Sequence, residues 1–329
     1  MDLPPLALTM GEPAGIGGEI AVAAWRHLAP CGPVFLIIDD PERLRRIGAA
    51  PIREIADPSE KRACFREALP VLPLGHQVTA EAGRPDPTTA AAVIASIVRA
   101  VTLARAGAVA AVVTNPIHKA TLYAAGFGFP GHTEFLSDLA RGGRPVMMLA
   151  GPTLRVVPLT VHLALAEVPR RLDQEVILAQ ARIVAEALRR DFGIDRPRLA
   201  VAALNPHAGE GGAMGDEEER IILPALRRLQ SDGIDIVGPL PADTMFHARA
   251  RSGYDAALCM YHDQALVPVK TLHFDDAVDV TLGLPFVRTS PDHGTALGIA
   301  GRGLARPDSL IAAIELADAM ARRRREYSE

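Results

Sequence analysis

Three histidines, His162, His207 and His262, stand just beyond short apolar runs, in Thr160-Val161-His162, Asn205-Pro206-His207 and Tyr261-His262-Asp263-Gln264. Another polar cluster, Thr114-Asn115-Pro116, follows a similar run. In open α/β sheets, ligands collect beyond the carboxyl ends of the strands, because loops there aim backbone and side-chain groups into one crevice. Neutral imidazoles delivered from separate strand ends can converge on one divalent ion and leave positions open for a substrate. A single histidine is more often a surface or hydrogen-bonded residue. The coincidence at three strand ends is what points to a metal, and such a set accepts zinc, magnesium, cobalt, nickel or manganese.

Other residues suggest what the ion would act on. Lys270 and Arg288 flank a strand of mixed character, and the run from Arg288 to Ala296 is too polar for a simple turn. Cations directed into a cleft would hold a phosphate or carboxylate of a small anionic substrate by charge-assisted bonds, with surface ion pairs as the plain alternative. Gly11-Glu12-Pro13-Ala14-Gly15-Ile16-Gly17-Gly18-Glu19 follows the first strand and precedes a helix, the setting of a phosphate loop. It lacks the glycine needed at Ile20 for a Rossmann fingerprint and has no Gly-Lys-Ser/Thr. A tight turn carrying Glu12 and a direct nucleotide contact therefore both stay open. Gly209 to Gly215 leads into Asp216-Glu217-Glu218-Glu219, acids that suit the first turn of a helix. That segment is either a flexible connection or a mobile flap beside the metal and cofactor.

These residues need strands to hold them. Strands are expected at Leu6-Thr9, Val34-Ile38, Val109-Val113, Val146-Leu149, Arg155-Leu159, Leu199-Leu204, Ala256-Met260 and Val278-Leu282. Their alternation with helical patterns predicts βα units and a largely parallel sheet. Asp40-Pro41-Glu42 and Asp86-Pro87 read as helix starts. Ile177, Ala181, Val184 and Leu188 place one apolar stripe on a helix from about Asp173 to Arg190.

At 329 residues, with 49% hydrophobic and 22% charged, the chain is long enough for two globular lobes. Gly126 to Gly131 is the best linker candidate. A discontinuous first α/β lobe of residues 1-128 and 290-329 and a second of 129-289 are expected, with a cleft between them. A net charge of -4 argues against a nucleic-acid or membrane partner. The run Arg322 to Arg325 reads as a solvated last turn of the C-terminal helix. Three scattered cysteines, no export signal and no long apolar stretch fit a cytoplasmic protein.

Several segments taken in order resemble the 4-hydroxythreonine-4-phosphate dehydrogenase family. They are Gly11-Glu12-Pro13-Ala14-Gly15-Ile16-Gly17, Thr114-Asn115-Pro116-Ile117-His118-Lys119, Pro130-Gly131-His132-Thr133-Glu134, Asn205-Pro206-His207-Ala208-Gly209-Glu210, Gly238-Pro239-Leu240-Pro241-Ala242-Asp243-Thr244, Tyr261-His262-Asp263-Gln264, Gly283-Leu284-Pro285-Phe286 and Arg288-Thr289-Ser290-Pro291-Asp292-His293-Gly294-Thr295-Ala296. They run from the first strand to the last loop.

The resemblance implies the two-lobed α/β/α fold of the isocitrate and isopropylmalate dehydrogenases and a homodimer whose active site lies at the subunit interface. It implies a metal on His162, His207 and His262, and substrate contacts from His132, Thr133, Lys270, Asp279 and Arg288. Asp243 and Lys270 would stand at the chemistry, with Asp243 or a water on the ion as the base. The loop His293-Gly294-Thr295-Ala296 would take the adenine end of NAD or NADP, which explains the missing Rossmann fingerprint. The implied reaction oxidises 4-phosphooxy-L-threonine to 2-amino-3-oxo-4-phosphooxybutanoate, which loses carbon dioxide to give 3-amino-2-oxopropyl phosphate for pyridoxal 5'-phosphate synthesis.

Two positions depart from the family. Asp279 replaces the usual asparagine, and an anion there would repel phosphate unless protonated, paired or turned aside. Gly298 stands where an aspartate is common, leaving NAD and NADP both open. A paralogous dehydrogenase of another anionic hydroxy acid or diol is the near alternative, and a metal-dependent acyl or phosphoryl transferase the alternative of another class.

Overall fold

The computed structural model describes residues 3–48, 50–60 and 64–329. It divides into two units. The first runs to Pro145 and resumes over Leu284–Arg322; the second comprises Val146–Gly283 and Arg323–Glu329.

The strands of the first unit are β1 (Leu6–Thr9), β2 (Phe35–Asp39), β3 (Ile52–Glu54), β4 (Leu69–Pro73) and β5 (Ala111–Val113), joined late in the chain by β12 (Val287–Pro291). Their order is β3-β4-β2-β1-β5-β12, and every pairing is parallel. β1, β2, β5 and β12 are buried along their whole length, as strands covered on both faces must be, so their letters show no two-residue alternation. The helix Ala90–Arg105 packs on β1, β2 and β5 through Val93, Ile97 and Ala100. Among the described residues, the segment Pro87–Arg105 has the length and apolarity to cross a membrane, and half of it is buried as in a core helix. The buried Ser96 at its centre is satisfied: the hydroxyl donates to the Ile38 carbonyl at 2.8 Å and accepts the Met10 N–H at 2.9 Å.

The second unit contains β6 (Val146–Ala150), β7 (Arg155–Pro158), β8 (Arg198–Ala202), β9 (Asp235–Leu240), β10 (Ala256–Cys259) and β11 (Val278–Leu282), ordered β11-β6-β7-β10-β8-β9. Here β6 is antiparallel to both neighbours, while β7, β10, β8 and β9 are parallel. The expected apolar stripe holds: Ile177, Ala181, Val184 and Leu188 are buried on the helix Gln174–Phe192. Asp173 Oδ1 accepts the Val176 N–H to start that helix, and Gly193 ends it at φ +69°.

Three features differ from the sequence reading. The unit boundary falls at Pro145 rather than near 128, because Phe127, Phe129 and Phe135 stack with ring centres 5.0 to 5.4 Å apart and join the first unit's core. It returns at Leu284 rather than near 290, so β12 belongs to the first unit. The arginine run is not solvated throughout, since Arg324 Nε donates at 2.7 Å to Asp191, whose side chain is 1% exposed.

Candidate active site

The topology gives the three histidines a common origin. β10 pairs with β7 on one side and β8 on the other, all parallel, and His162, His262 and His207 follow β7, β10 and β8. Adjacent strands lie about 4.8 Å apart, so the three loops leave side by side at one edge of the sheet. The rings of His162 and His262 face each other with centroids 6.0 Å apart and planes tilted by 37°. Imidazole nitrogens about 2.1 Å from one ion place their ring centres roughly 5 to 6 Å apart, so this pair fits a shared cation. The Nδ1–H of His262 donates to Asp263 Oδ1 at 2.7 Å, which turns the other ring nitrogen outward as an electron-pair donor. Among the described residues, no three His, Cys, Asp or Glu side chains are grouped closely enough to hold a metal.

Two cavities flank the pair. One, of about 290 Å³, is lined by Thr160, His162, Leu165, Tyr261, His262 and Asp263. The other, of about 370 Å³, is lined by His262, Asp263, Val267 and Lys270, which places Lys270 two helical turns beyond His262 on the same helix, His262–Leu272. Leu163, Leu165 and Val267 around these openings are exposed. Asp279 is half-buried in β11, and Asp243 is exposed on the short helix Ala242–Met245.

The loop carrying His207 is conformationally unusual. His162 has φ 52°, and His207, Ala208, Gly209, Glu210 and Gly211 are all left-handed, with φ of 51°, 55°, 80°, 45° and 62°. Left-handed backbone costs roughly 1–2 kcal/mol for each residue with a side chain, and such strain persists only where surrounding contacts hold it. At its base, the buried carboxylate of Glu218 accepts the backbone N–H groups of Leu204 and Asn205 at 2.9 and 2.8 Å.

The first unit carries a different assembly. Arg288 on β12 is 3% exposed and donates through an η-nitrogen to the Thr114 hydroxyl at 2.8 Å, at the end of neighbouring β5. His132 and Thr133 open the helix His132–Ala140, whose first N–H groups favour an anion. The His132 Nε2 is buried without a partner. Burial, followed by the positive charges of Arg288 and Lys119, holds His132 well below the usual imidazole range, so it stays neutral. A neutral donor beside two cations at a helix N-terminus suits a phosphate. Sequence reasoning left Lys119 and Thr114 without a role, although both lie in the quoted Thr114-to-Lys119 segment.

The glycines of the first loop are explained by close approach. A Cβ at Gly11, where φ is +69°, would lie 2.6 Å from the Asn115 Cβ, and one at Gly15 would lie 2.8 Å from the Thr295 carbonyl oxygen. Ile16 N–H also donates to that oxygen at 3.1 Å. The turn therefore buttresses the loop His293-Gly294-Thr295-Ala296, in which His293 Nε2 is buried without a partner and open space surrounds Gly294. A dinucleotide's adenine end, which the resemblance assigns to this loop, would meet that nitrogen and that space. Glu12 is itself buried and caps Ala14, and burial raises its carboxyl above the usual range.

A family model described as "Pyridoxal phosphate biosynthetic protein PdxA" matches residues 32–317. The chain belongs to the PdxA family. It is 56% identical to a 4-hydroxythreonine-4-phosphate dehydrogenase of Bradyrhizobium diazoefficiens, over 96% of this chain and 97% of that one. The crystal structure of a 4-hydroxythreonine-4-phosphate dehydrogenase from Klebsiella pneumoniae superposes with a TM-score of 0.88 at 39% identity, covering 97% and 98% of the two chains. A terephthalate 1,2-cis-dihydrodiol dehydrogenase from Burkholderia xenovorans gives 0.67 at 29% identity, with coverage of 97% and 98%. The PdxA fold is thus shared along nearly the whole chain.

Proposed function

We propose that this protein is a 4-hydroxythreonine-4-phosphate dehydrogenase of pyridoxal 5'-phosphate synthesis. The observation that carries the proposal is the cluster of Arg288, Lys119 and neutral His132, which matches a phosphate-bearing substrate and occurs in a chain 56% identical to a protein of that name. Arg288, braced by Thr114, and Lys119 hold the phosphate, while His132 and Thr133 complete its hydrogen bonds. His162, His207 and His262 would hold one divalent ion, which would polarise the substrate alcohol and lower its pKa. Asp243 accepts the hydroxyl proton, and Lys270 neutralises negative charge as it develops on oxygen. His293–Ala296 would hold NAD or NADP, which would take up the hydride, and the β-keto acid product, 2-amino-3-oxo-4-phosphooxybutanoate, would lose carbon dioxide to give 3-amino-2-oxopropyl phosphate.

The imidazole set is completed in a homodimer. Support comes from the exposed apolar residues around His162 and His262 and from the lack, among the described residues of one chain, of a three-ligand group. Co-expressing His207→Ala with His262→Ala chains tests this: mixed dimers would regain one intact site, giving roughly a quarter of wild-type activity. Failure of the two inactive variants to complement would reject it.

A second reading is favoured by Asp279 and by the dihydrodiol dehydrogenase relative. On that reading the chain oxidises an anionic diol without phosphate. A panel of phosphorylated and unphosphorylated alcohols, followed by NAD or NADP reduction with added divalent ions, decides between them. The main reading requires 4-phosphooxy-L-threonine to give the highest kcat/KM.

A further inference from the structure

His207 sits on a loop whose entrance is held by two acidic side chains. Glu218 is 2% exposed and does not behave as a simple first-turn acid. Its Oε1 accepts the consecutive N–H groups of Leu204 and Asn205, the residues through which the chain leaves β8. Its Oε2 accepts the Asn205 side-chain amide at 2.9 Å, and Glu217 Oε2 accepts the same amide at 2.7 Å. Three bonds from two carboxylates therefore fix Asn205, two residues before His207, and a fourth holds Leu204 before it.

The surroundings leave no slack. A Cβ at Gly209 would lie 2.8 Å from Glu218 Oε2, and one at Gly215 would lie 2.4 Å from Asn205 Nδ2. Asn205 O in turn accepts the Ala208 N–H at 3.2 Å, and Gly209 O accepts the Met214 N–H at 3.0 Å. The left-handed run from His207 to Gly211 is thus closed between an anchored entrance and an anchored exit. Glu218 also begins a π-helical turn, Glu218–Ile222, a rare geometry that is frequent at functional sites.

We propose that Glu218 is a positioning residue that, through Asn205, sets the orientation of the His207 imidazole and thereby the affinity of the site for a divalent cation. It is not itself a ligand, because both its oxygens are engaged by N–H donors. The inference rests on the proposed role of His207 as a metal ligand. Partners that orient a ligating histidine typically change metal affinity by 10- to 100-fold when removed.

The test is titration of metal-stripped full-length protein with cobalt(II), read by its visible absorption and by calorimetry, for wild type, Glu218→Gln, Asn205→Ala and His207→Ala. Glu218→Gln should weaken cobalt binding about 10- to 100-fold, with turnover returning to within a few-fold of wild type at saturating cobalt. Asn205→Ala removes the side-chain bonds but leaves Glu218 on the two backbone N–H groups. It should weaken binding less and carries the test if Glu218→Gln fails to fold. Wild-type cobalt affinity in folded Glu218→Gln and Asn205→Ala, alongside weakened affinity in His207→Ala, overturns the positioning role alone. Wild-type affinity in His207→Ala overturns the ligand assignment beneath it.

Discussion

The two units solve opposite problems of recognition. In the first, Arg288 is buried and tied to Thr114, and the His132 ring, its Nε2 out of solvent, is kept neutral by burial and by neighbouring cations. In the second, His162 and His262 stand at the surface of open cavities, and His207 lies on a strained loop. A positive cluster can be assembled before its anion arrives, because Arg288 is held by a protein partner. A three-imidazole site cannot be closed equally cheaply, because its donors converge only when an ion supplies the attraction. The contrast predicts that substitutions in the second unit act through the metal and those in the first through the substrate.

The contrast breaks most sharply at His207. His207→Ala should lower kcat on the order of a thousandfold, since an ion contributes several kcal/mol of charge stabilisation and each 1.36 kcal/mol is tenfold in rate. Steady-state kinetics at saturating substrate measures this. Arg288→Ala should instead raise the substrate KM about 10- to 100-fold with kcat less affected, as a charge-assisted hydrogen bond of about 1.5–3 kcal/mol is lost. An unchanged KM would remove Arg288 from the phosphate. Asp263→Asn should weaken metal affinity about tenfold without altering the substrate KM, because only the support of the His262 ring changes.

The smallest effect concerns pH. His132 is neutral in the folded protein and titrates near 6.5 when unfolded, so the unfolded state takes up the proton first as pH falls. The stability associated with this group is present above that value and lost below it. Urea midpoints measured between pH 7 and pH 5 should therefore decline less in His132→Gln than in wild type. An equal decline would show that His132 is not the group responsible.

Much of this arrangement was legible because buried parallel strands announce themselves as apolar runs, and the polar residues after β5, β7, β8 and β10 then stand out. β12 was not legible as a strand: Val287-Arg288-Thr289-Ser290-Pro291 is polar in letter yet wholly buried, and its hydroxyls and guanidinium find partners from other elements, as in Thr289 Oγ1 donating to Ala313 O at 2.8 Å. β9, with Gly238 and Pro239 inside it, is an edge strand and carries the letters that usually argue against one. The Gly-rich stretch around Gly126 suggested a linker, but its phenylalanines bind it into the core. Glu218 reads locally as a helix-opening acid, and its use 13 and 14 residues back along the chain is a tertiary contact that no local pattern encodes. The roles given to Asp243, Asp279 and the His293–Ala296 loop came from family resemblance, not from spacing.

The central claim is that an ion held by imidazoles activates the substrate alcohol. Its most direct test is to strip the wild-type protein of metal and follow NAD or NADP reduction with 4-phosphooxy-L-threonine before and after adding a divalent cation. The account predicts no turnover in the stripped enzyme and recovery on addition; full turnover in metal-free buffer would contradict it.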